Sequence, residues 1–398
     1  MQQLSLLFLL SLGHLVTDMT GGAIPVLLPV IKSEFSLSYT AIGVIILVSN
    51  LISSVIQPFF GIWSDRKAIL WLLPAGCLLA GVGLALVGLA PGYLLILLAV
   101  AVNGIGAAAY HPEASKQSFL ISGEKKATAL SIYSVGGNIG HGLGPIMAAL
   151  LLDLGGRRGV GIFLIISVIT AILLKSSLPA IKQLANKNTH DAEKDLGANP
   201  ADGGMRKGVI LALFLVVMIV ILRSLVHLGM TNFIPLYVEE YLKGSKHFGA
   251  LLLTVFLLSG AVGTIFGGLA ADRIGRKRVM VLSFALVTPL LWLLLISNGI
   301  WAVVFAALSG FVLISTFSVT VVYAQELIPN RVGLASGLIL GFAFGVGALG
   351  GLAFGAAADL WGVPAVLKAI SLLPIPAFFL SLWLPQEGRS EKSLAGTH

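Results

Sequence analysis

The chain has 398 residues, of which 57% are hydrophobic and only 11% charged, with a mean hydropathy of +0.99. Soluble domains carry roughly 25% charged residues, so this chain cannot cover a water-facing surface with polar groups, and its solvent must be lipid. The net charge of +8 does not point to nucleic acid, because the cations sit between long apolar runs, where they serve as topology signals and contacts with anionic lipid.

A helix needs about 20 residues to cross the hydrocarbon of a bilayer. Apolar runs of that length predict twelve transmembrane helices, over roughly 4–31, 40–63, 68–90, 93–115, 127–152, 159–179, 208–237, 248–271, 279–297, 300–324, 332–358 and 362–384. The runs far exceed the ~10 residues of a membrane-barrel strand. The expected fold is therefore an all-α membrane protein of two six-helix bundles, residues 1–181 and 208–398, joined by a polar linker at 182–207 and ending in a short tail. The linker mixes charges with Gly, Asn and Pro and reads as flexible. The first run is long, interrupted by His14 and Asp18, and has no basic segment before it, so it reads as a retained span rather than a cleaved signal peptide.

Taken in chain order, the unusual residues are ionisable groups inside these runs. A charge at mid-membrane costs about 3 kcal/mol or more and is a functional candidate by default. His14 and Asp18 stand four apart on one face of span 1. Low dielectric favours the neutral form of a carboxyl, and a neighbouring imidazole can relay its proton. The alternative is a closed structural pair. In span 4, His111 and Glu113 flank Pro112, which removes a backbone hydrogen bond and bends the helix. Glu113 is a candidate second proton site, or else a helix-end carboxylate paired with Lys116. In span 7, Arg223 and His227 repeat the four-residue spacing of span 1. Arg223 keeps its charge and must meet an anion, either a carboxylate of the protein or a carboxylate, phosphate or phosphonate of a substrate. Gln57, Tyr110, Tyr133, Asn138, His141 and Asn232 can line a cavity or bridge helices by hydrogen bonds. Cys77, the single cysteine, precludes an internal disulfide.

Glycines form a second pattern. Gly136, Gly140 and Gly144 make one ridge in span 5, and Gly337, Gly341 and Gly345, then Gly347, Gly351 and Gly355, repeat it in span 11. Such ridges allow close backbone approach in lipid. The loop after span 2 reads Gly61-Ile-Trp-Ser-Asp65-Arg66-Lys, and the loop after span 8 reads Gly268-Leu-Ala-Ala-Asp272-Arg273-Ile-Gly-Arg276-Lys-Arg. The halves are thus related by an internal repeat, an arrangement that puts a substrate site at the repeat interface near the midplane. Placing both termini in the cytoplasm leaves only Lys32, Arg157, Arg158, Lys243 and Lys246 in outer loops, as the positive-inside rule requires.

The second loop resembles the signature of the major facilitator superfamily, G-x-x-x-D-R-x-G-R-[RK]; the first copy lacks the Gly-Arg-Arg ending. The resemblance implies that Gly61, Asp65, Arg66, Gly268, Asp272, Arg273 and Arg276 form a conformational latch. Gly140-His-Gly-Leu-Gly144-Pro145 is similar to a glycine-proline element of proton-driven antiporters in that superfamily, with Ala148-Ala149 where that element has two glycines. His14-x-x-x-Asp18, Gln57-Pro58, Tyr110-His-Pro-Glu-Ala-Ser and Val-Gly-Gly-Asn138 together resemble the fosmidomycin-resistance family of bacterial efflux proteins. That implies a proton-coupled drug or antibiotic antiporter of the bacterial inner membrane with small-molecule, fosmidomycin-like or other anionic substrates, working as a monomer by alternating access. An uptake carrier for a sugar or organic anion is the alternative, and a lipid-handling protein a more distant one. The sequence has no phosphate-binding loop, no zinc spacing and no hydrolase motif, so no enzyme activity, metal or cofactor is expected, and the proton gradient is the expected energy source.

Overall fold

The computed structural model describes residues 2–66, 69–121, 126–192, 207–328, 338–339 and 343–385. Among these residues there is no strand. The helices are α1 (Gln2–Glu34), α2 (Tyr39–Arg66), α3 (Leu72–Leu89), α4 (Tyr93–Ile121), α5 (Lys126–Gly155), α6 (Ile162–Ala192), α7 (Lys207–Leu236), α8 (Lys246–Ile274), α9 (Arg276–Ile296), α10 (Gly299–Leu327), α11 (Ala343–Trp361), α12 (Val363–Leu372) and α13 (Pro374–Trp383). In hydrocarbon every backbone polar group must be paired within its own segment, and the helix meets that demand alone. The last expected span is one apolar stretch, Val363–Trp383, broken into α12 and α13 at Leu373–Pro374 because proline has no N–H to continue the ladder. The described helices are consistent with the twelve expected spans.

Two boundaries differ from expectation. Helix α6 runs on to Ala192, well into the stretch read as a linker. Its residues from Lys182 onward are mostly polar, but none is Gly or Pro, so the helix continues after its apolar run has ended. In span 11, Gly337 and Gly341 lie outside the described residues, and a Cβ at Gly345 would meet open space. The close contacts of α11 fall at Gly347, which the glycine repeat includes, against Ser224, and at Gly350, which it does not, against Leu225, both on α7.

By internal contacts the chain groups into two units, one of Met1–Asn199 with Pro235–Thr254 and one of Pro200–Ile234 with Val255–His398. Within the first, α1 packs along α5, and α4 packs on α2 and α3. The α1–α5 seam is made by the glycine ridge. A Cβ at Gly136, Gly140 or Gly144 would stand 2.2 Å, 2.0 Å or 2.5 Å from the carbonyl oxygens of Ser11, Leu15 and Met19 respectively. Those three residues are themselves spaced by four along α1, so two ridges of equal pitch interlock backbone to backbone. Just past Leu236 the helix of span 7 widens into a π turn, Tyr237–Tyr241.

Within the second unit, α9 packs on α10 and α13. The signature loop turns sharply between α8 and α9 at Gly275, whose φ of 92° and ψ of 146° are open in practice only to glycine. This explains the glycine in the signature. The two residues after it brace the turn: Arg276 Nη2 lies 2.7 Å from Glu326 Oε1 on α10, and Lys277 Nζ donates to the carbonyls of Leu382 and Leu384, each at 2.6 Å, capping α13.

The α1–α5 seam admits no side chain at its centre. Gly140→Val should lose at least about 2 kcal/mol through forced separation of the helices. Thermal melting and monodispersity of the purified protein in detergent measure it; a variant with wild-type melting would mean that the two backbones are not held this close.

Candidate functional site

The glycine seam sets the depth at which α5 meets the polar face of α1. His14 and Asp18 project from α1 one turn apart, with Nε2 of His14 3.2 Å from Oδ2 of Asp18. Helix α4 brings His111, whose Nε2 lies 3.0 Å from Oδ1 of the same carboxylate. Helix α5 brings Tyr133: its ring stacks on His14 at 4.1 Å and 18°, its carbonyl oxygen lies 2.8 Å from His14 Nδ1, and its hydroxyl donates to the His111 carbonyl at 3.3 Å. The ring of His141, also on α5, lies near Asp18. Asp18 thus has one imidazole on each oxygen, and its side chain keeps 21% of its surface accessible inside an otherwise apolar helix. The imidazole nitrogens and the carboxylate lie within 4.8 Å of one another, close enough to share a small cation such as a proton.

Gly137 makes the room for this cluster. A Cβ there would stand 2.3 Å from His14 Nε2 and 2.8 Å from Asp18 Oδ2. The sequence singles out the other glycines of the ridge, but nothing in their spacing marks Gly137 as the residue facing the ionisable pair.

Glu113 is not part of the cluster, although only Pro112 separates it from His111. It is fully buried. Ser64 at the end of α2 donates to Oε2, Gln117 Nε2 donates to Oε1 at 2.8 Å, and Lys116 donates to the Ser64 carbonyl. A Cβ at Gly61 would pack 3.8 Å from Pro112, so the end of α2 rests on α4 at that proline and just after it. Expectation had paired Glu113 with Lys116 or with a proton; in the structure the two are linked through Ser64. The side chains of Asp65 and Arg66 lie outside the described residues.

Tyr110 is a packing residue, fully buried and donating to the Leu10 carbonyl at 2.6 Å. Gln57 is half-buried and Asn138 exposed. The buried residue missed by sequence reading is Asn103, which donates 2.8 Å bonds to Thr20 on α1 and to the Ala80 carbonyl on α3. A lone Asn in an apolar run carries no pattern that would distinguish it.

In the second unit, Arg223 is 4% exposed, and its guanidinium lies 4.9 Å from the centre of the Phe317 ring. His227 stacks on Phe256 at 6.1 Å. Asn232 donates to the Leu228 carbonyl of its own helix at 2.8 Å. Asp272 and Arg273 are exposed, and a Cβ at Gly268 would reach only the Ser318 hydroxyl at 3.7 Å.

At the end of α2 opposite its signature loop, the first unit carries a set of polar ties. Glu240 accepts from Tyr39 at 2.5 Å and lies 3.4 Å from Lys32, while Asp153 lies 2.6 Å from Lys246 and 2.5 Å from His247. Arg157 makes a two-pronged bond to Glu34, both arms at 2.8 Å.

An all-helical bundle of apolar spans, with glycine seams and titratable groups in mid-span, is the architecture of a multi-pass membrane transporter of small molecules. Comparison with known proteins identifies the class. The sequence profile of the Major Facilitator Superfamily matches residues 10–242 and 219–397. The chain is 35% identical over 376 residues to the fosmidomycin resistance protein of Escherichia coli strain K12, covering 94% of this chain and 91% of that one. It is 34% identical over 389 residues to the uncharacterized MFS-type transporter YfnC of Bacillus subtilis strain 168, covering 96% and 93%. Among solved structures, a bacterial homologue of the human lysosomal transporter Spinster, inward-facing and occupied, superposes with a TM-score of 0.78 at 15% identity, covering 95% of this chain and 96% of that one. The chain belongs to the major facilitator superfamily and resembles its fosmidomycin-resistance members.

Two outcomes follow from this geometry. Glu113→Ala leaves Ser64 and Gln117 without their acceptor in a buried site and should lower stability by about 1–3 kcal/mol; denaturation in detergent reads the loss, and an unchanged midpoint would show that the carboxylate is dispensable to the fold. Gly137→Ala should break the His14–Asp18 contact and reduce transport by about tenfold or more, since a displacement of about 1 Å at a reacting group can cost far more than that. Initial rates in vesicles test this, with a wild-type rate excluding close packing at Gly137.

Proposed function

We propose that this chain is a proton-coupled exporter of small molecules, an antibiotic:H+ antiporter that takes fosmidomycin-like or other anionic compounds by alternating access. The observation that carries this reading is Asp18, a partly accessible carboxylate within an apolar helix, bracketed by His14 and His111. An intramembrane carboxylate of this kind is expensive to maintain and marks a proton path in transporters. The likeness to a fosmidomycin resistance protein over nearly the whole chain supports export of such compounds.

Arg223 supports the anionic substrate. Its guanidinium keeps its charge at any physiological pH and presents a planar fork that matches carboxylate, phosphate or phosphonate. His227, one turn along α7, is proposed to assist it, with Asn232 in support; within the first unit the proposed substrate-facing residues are His141, Asn138, Gln57 and Tyr133, with Tyr110 packed behind them. Glu113 acts in support, through Ser64, rather than as a second proton carrier. The signature loops, with Gly61, Asp65, Arg66, Gly268, Asp272, Arg273 and Arg276, latch one state of the cycle, and the Arg276–Glu326 contact fits that role. Energy comes from the proton gradient without a cofactor. The working unit is a monomer in the bacterial inner membrane with both termini in the cytoplasm, in keeping with the distribution of Lys and Arg.

Radiolabelled fosmidomycin in everted vesicles under an imposed pH gradient tests the reading. Wild type should accumulate it when the lumen is acid, and Asp18→Asn should reduce this at least about tenfold, the low end of what a positioned proton-transfer group contributes. Accumulation that Asp18→Asn leaves intact, or substrate flux in the same direction as the protons, would sink the antiport assignment.

A further inference from the structure

The ring of His14 has two nitrogens, and both are committed. Nδ1 lies 2.8 Å from the carbonyl oxygen of Tyr133. A carbonyl oxygen only accepts, so Nδ1 carries a hydrogen. Were the ring neutral, Nε2 would be a bare lone pair 3.2 Å from an oxygen of Asp18. Two lone pairs facing each other in an apolar bundle repel, and the contact is favourable only with a proton between them. Asp18 has a second imidazole beside it. His111 Nε2 lies 3.0 Å from the other oxygen but without the alignment of a hydrogen bond. A charged ring at His14 is therefore what stabilises the carboxyl as the anion. We propose, on the proton-coupled reading of this site, that the transported proton resides on His14, with Asp18 as its fixed counter-ion and His111 as a neutral, replaceable neighbour.

The titratable groups around the His14 ring are Asp18 on α1, Tyr110 and His111 on α4, Tyr133 and His141 on α5, and Cys77 of α3 in the same packed cluster. Of these, Tyr133 is already engaged through its stacked ring and carbonyl. When the proton leaves, the Nε2–H bond breaks, the electron pair stays on nitrogen and the proton passes to water. The opposed lone pairs then separate only if His14 lets go of the Tyr133 carbonyl or Asp18 draws away. Tyr133 is on α5 and Asp18 on α1, so the charge on one ring is tied to the contact between those two helices.

The experiment uses purified full-length protein in liposomes and reads substrate-driven proton release with a pH dye beside fosmidomycin counterflow, which needs no net proton movement. His14→Gln should reduce proton release at least about tenfold more than it reduces counterflow, whereas His111→Gln should lower the two in equal proportion. NMR of isotope-labelled histidine in the wild type should show an imidazolium signal that is missing in His14→Gln, a reading that holds even if the variant transports poorly. An infrared band of a protonated carboxyl that disappears in Asp18→Asn would put the proton on Asp18 and overturn the assignment. So would full proton release by His14→Gln, or release by the wild type that is lost on chelating divalent metal. If wild type releases no proton at all, it is the antiport reading that fails; if wild type couples and only the His14 result is contrary, that reading stands without this carrier.

Discussion

Helices α1 and α5 touch through their backbones, and the ionisable cluster depends on that approach. Three glycines of α5 sit on three carbonyls of α1 at matching pitch. A side chain at any of them would hold the helices apart and carry the Tyr133 carbonyl and ring away from His14. In lipid, apolar surface gains little by leaving its surroundings for a neighbouring helix, so contact of this kind is what remains to hold one span against another. The same seam that builds the bundle therefore sets the distances on which the chemistry turns.

Around that seam the structure separates two uses of buried polarity. Asp18 is held by groups that can change protonation, and it keeps partial access. Glu113 is held by a hydroxyl and an amide that cannot, and it has none. Two carboxylates facing similar costs of burial thus differ in the kind of partner that holds them. Arg223 is a third case: aromatic contact at Phe317 shields a cation that stays charged.

Much of this was legible in the sequence. Twelve apolar runs can only be helices, because lipid offers no partner to an unpaired backbone. The ridge of Gly136, Gly140 and Gly144 and the pairing of His14 with Asp18 both follow from residues spaced by one turn. What joins one helix to another was not legible. His111 meets Asp18 across nearly a hundred residues of chain, and no local spacing foretells it. Ser64, Asn103 and Gly137 are decisive neighbours, yet each belongs to a residue type too common in apolar helices to stand out. In span 11 the glycine repeat includes Gly345 and Gly347, of which Gly347 meets α7 and Gly345 meets open space, while Gly350, outside the repeat, also touches α7. The extent of α6 was misjudged for a different reason: a helix does not stop where its apolar residues do unless something in the sequence breaks it.

One feature of span 7 bears on how such a molecule deforms. Pro235 begins the stretch that groups with the first unit, while the body of α7 groups with the second. Proline withholds one rung of the backbone ladder there, and the wide turn at Tyr237–Tyr241 loosens the next few. Within that turn, Glu240 is moored to Lys32 and Tyr39. A helix that loses a rung at Pro235 and is widened over the following turn is less stiff there than along the rest of its length, so any strain on span 7 is taken up at that point.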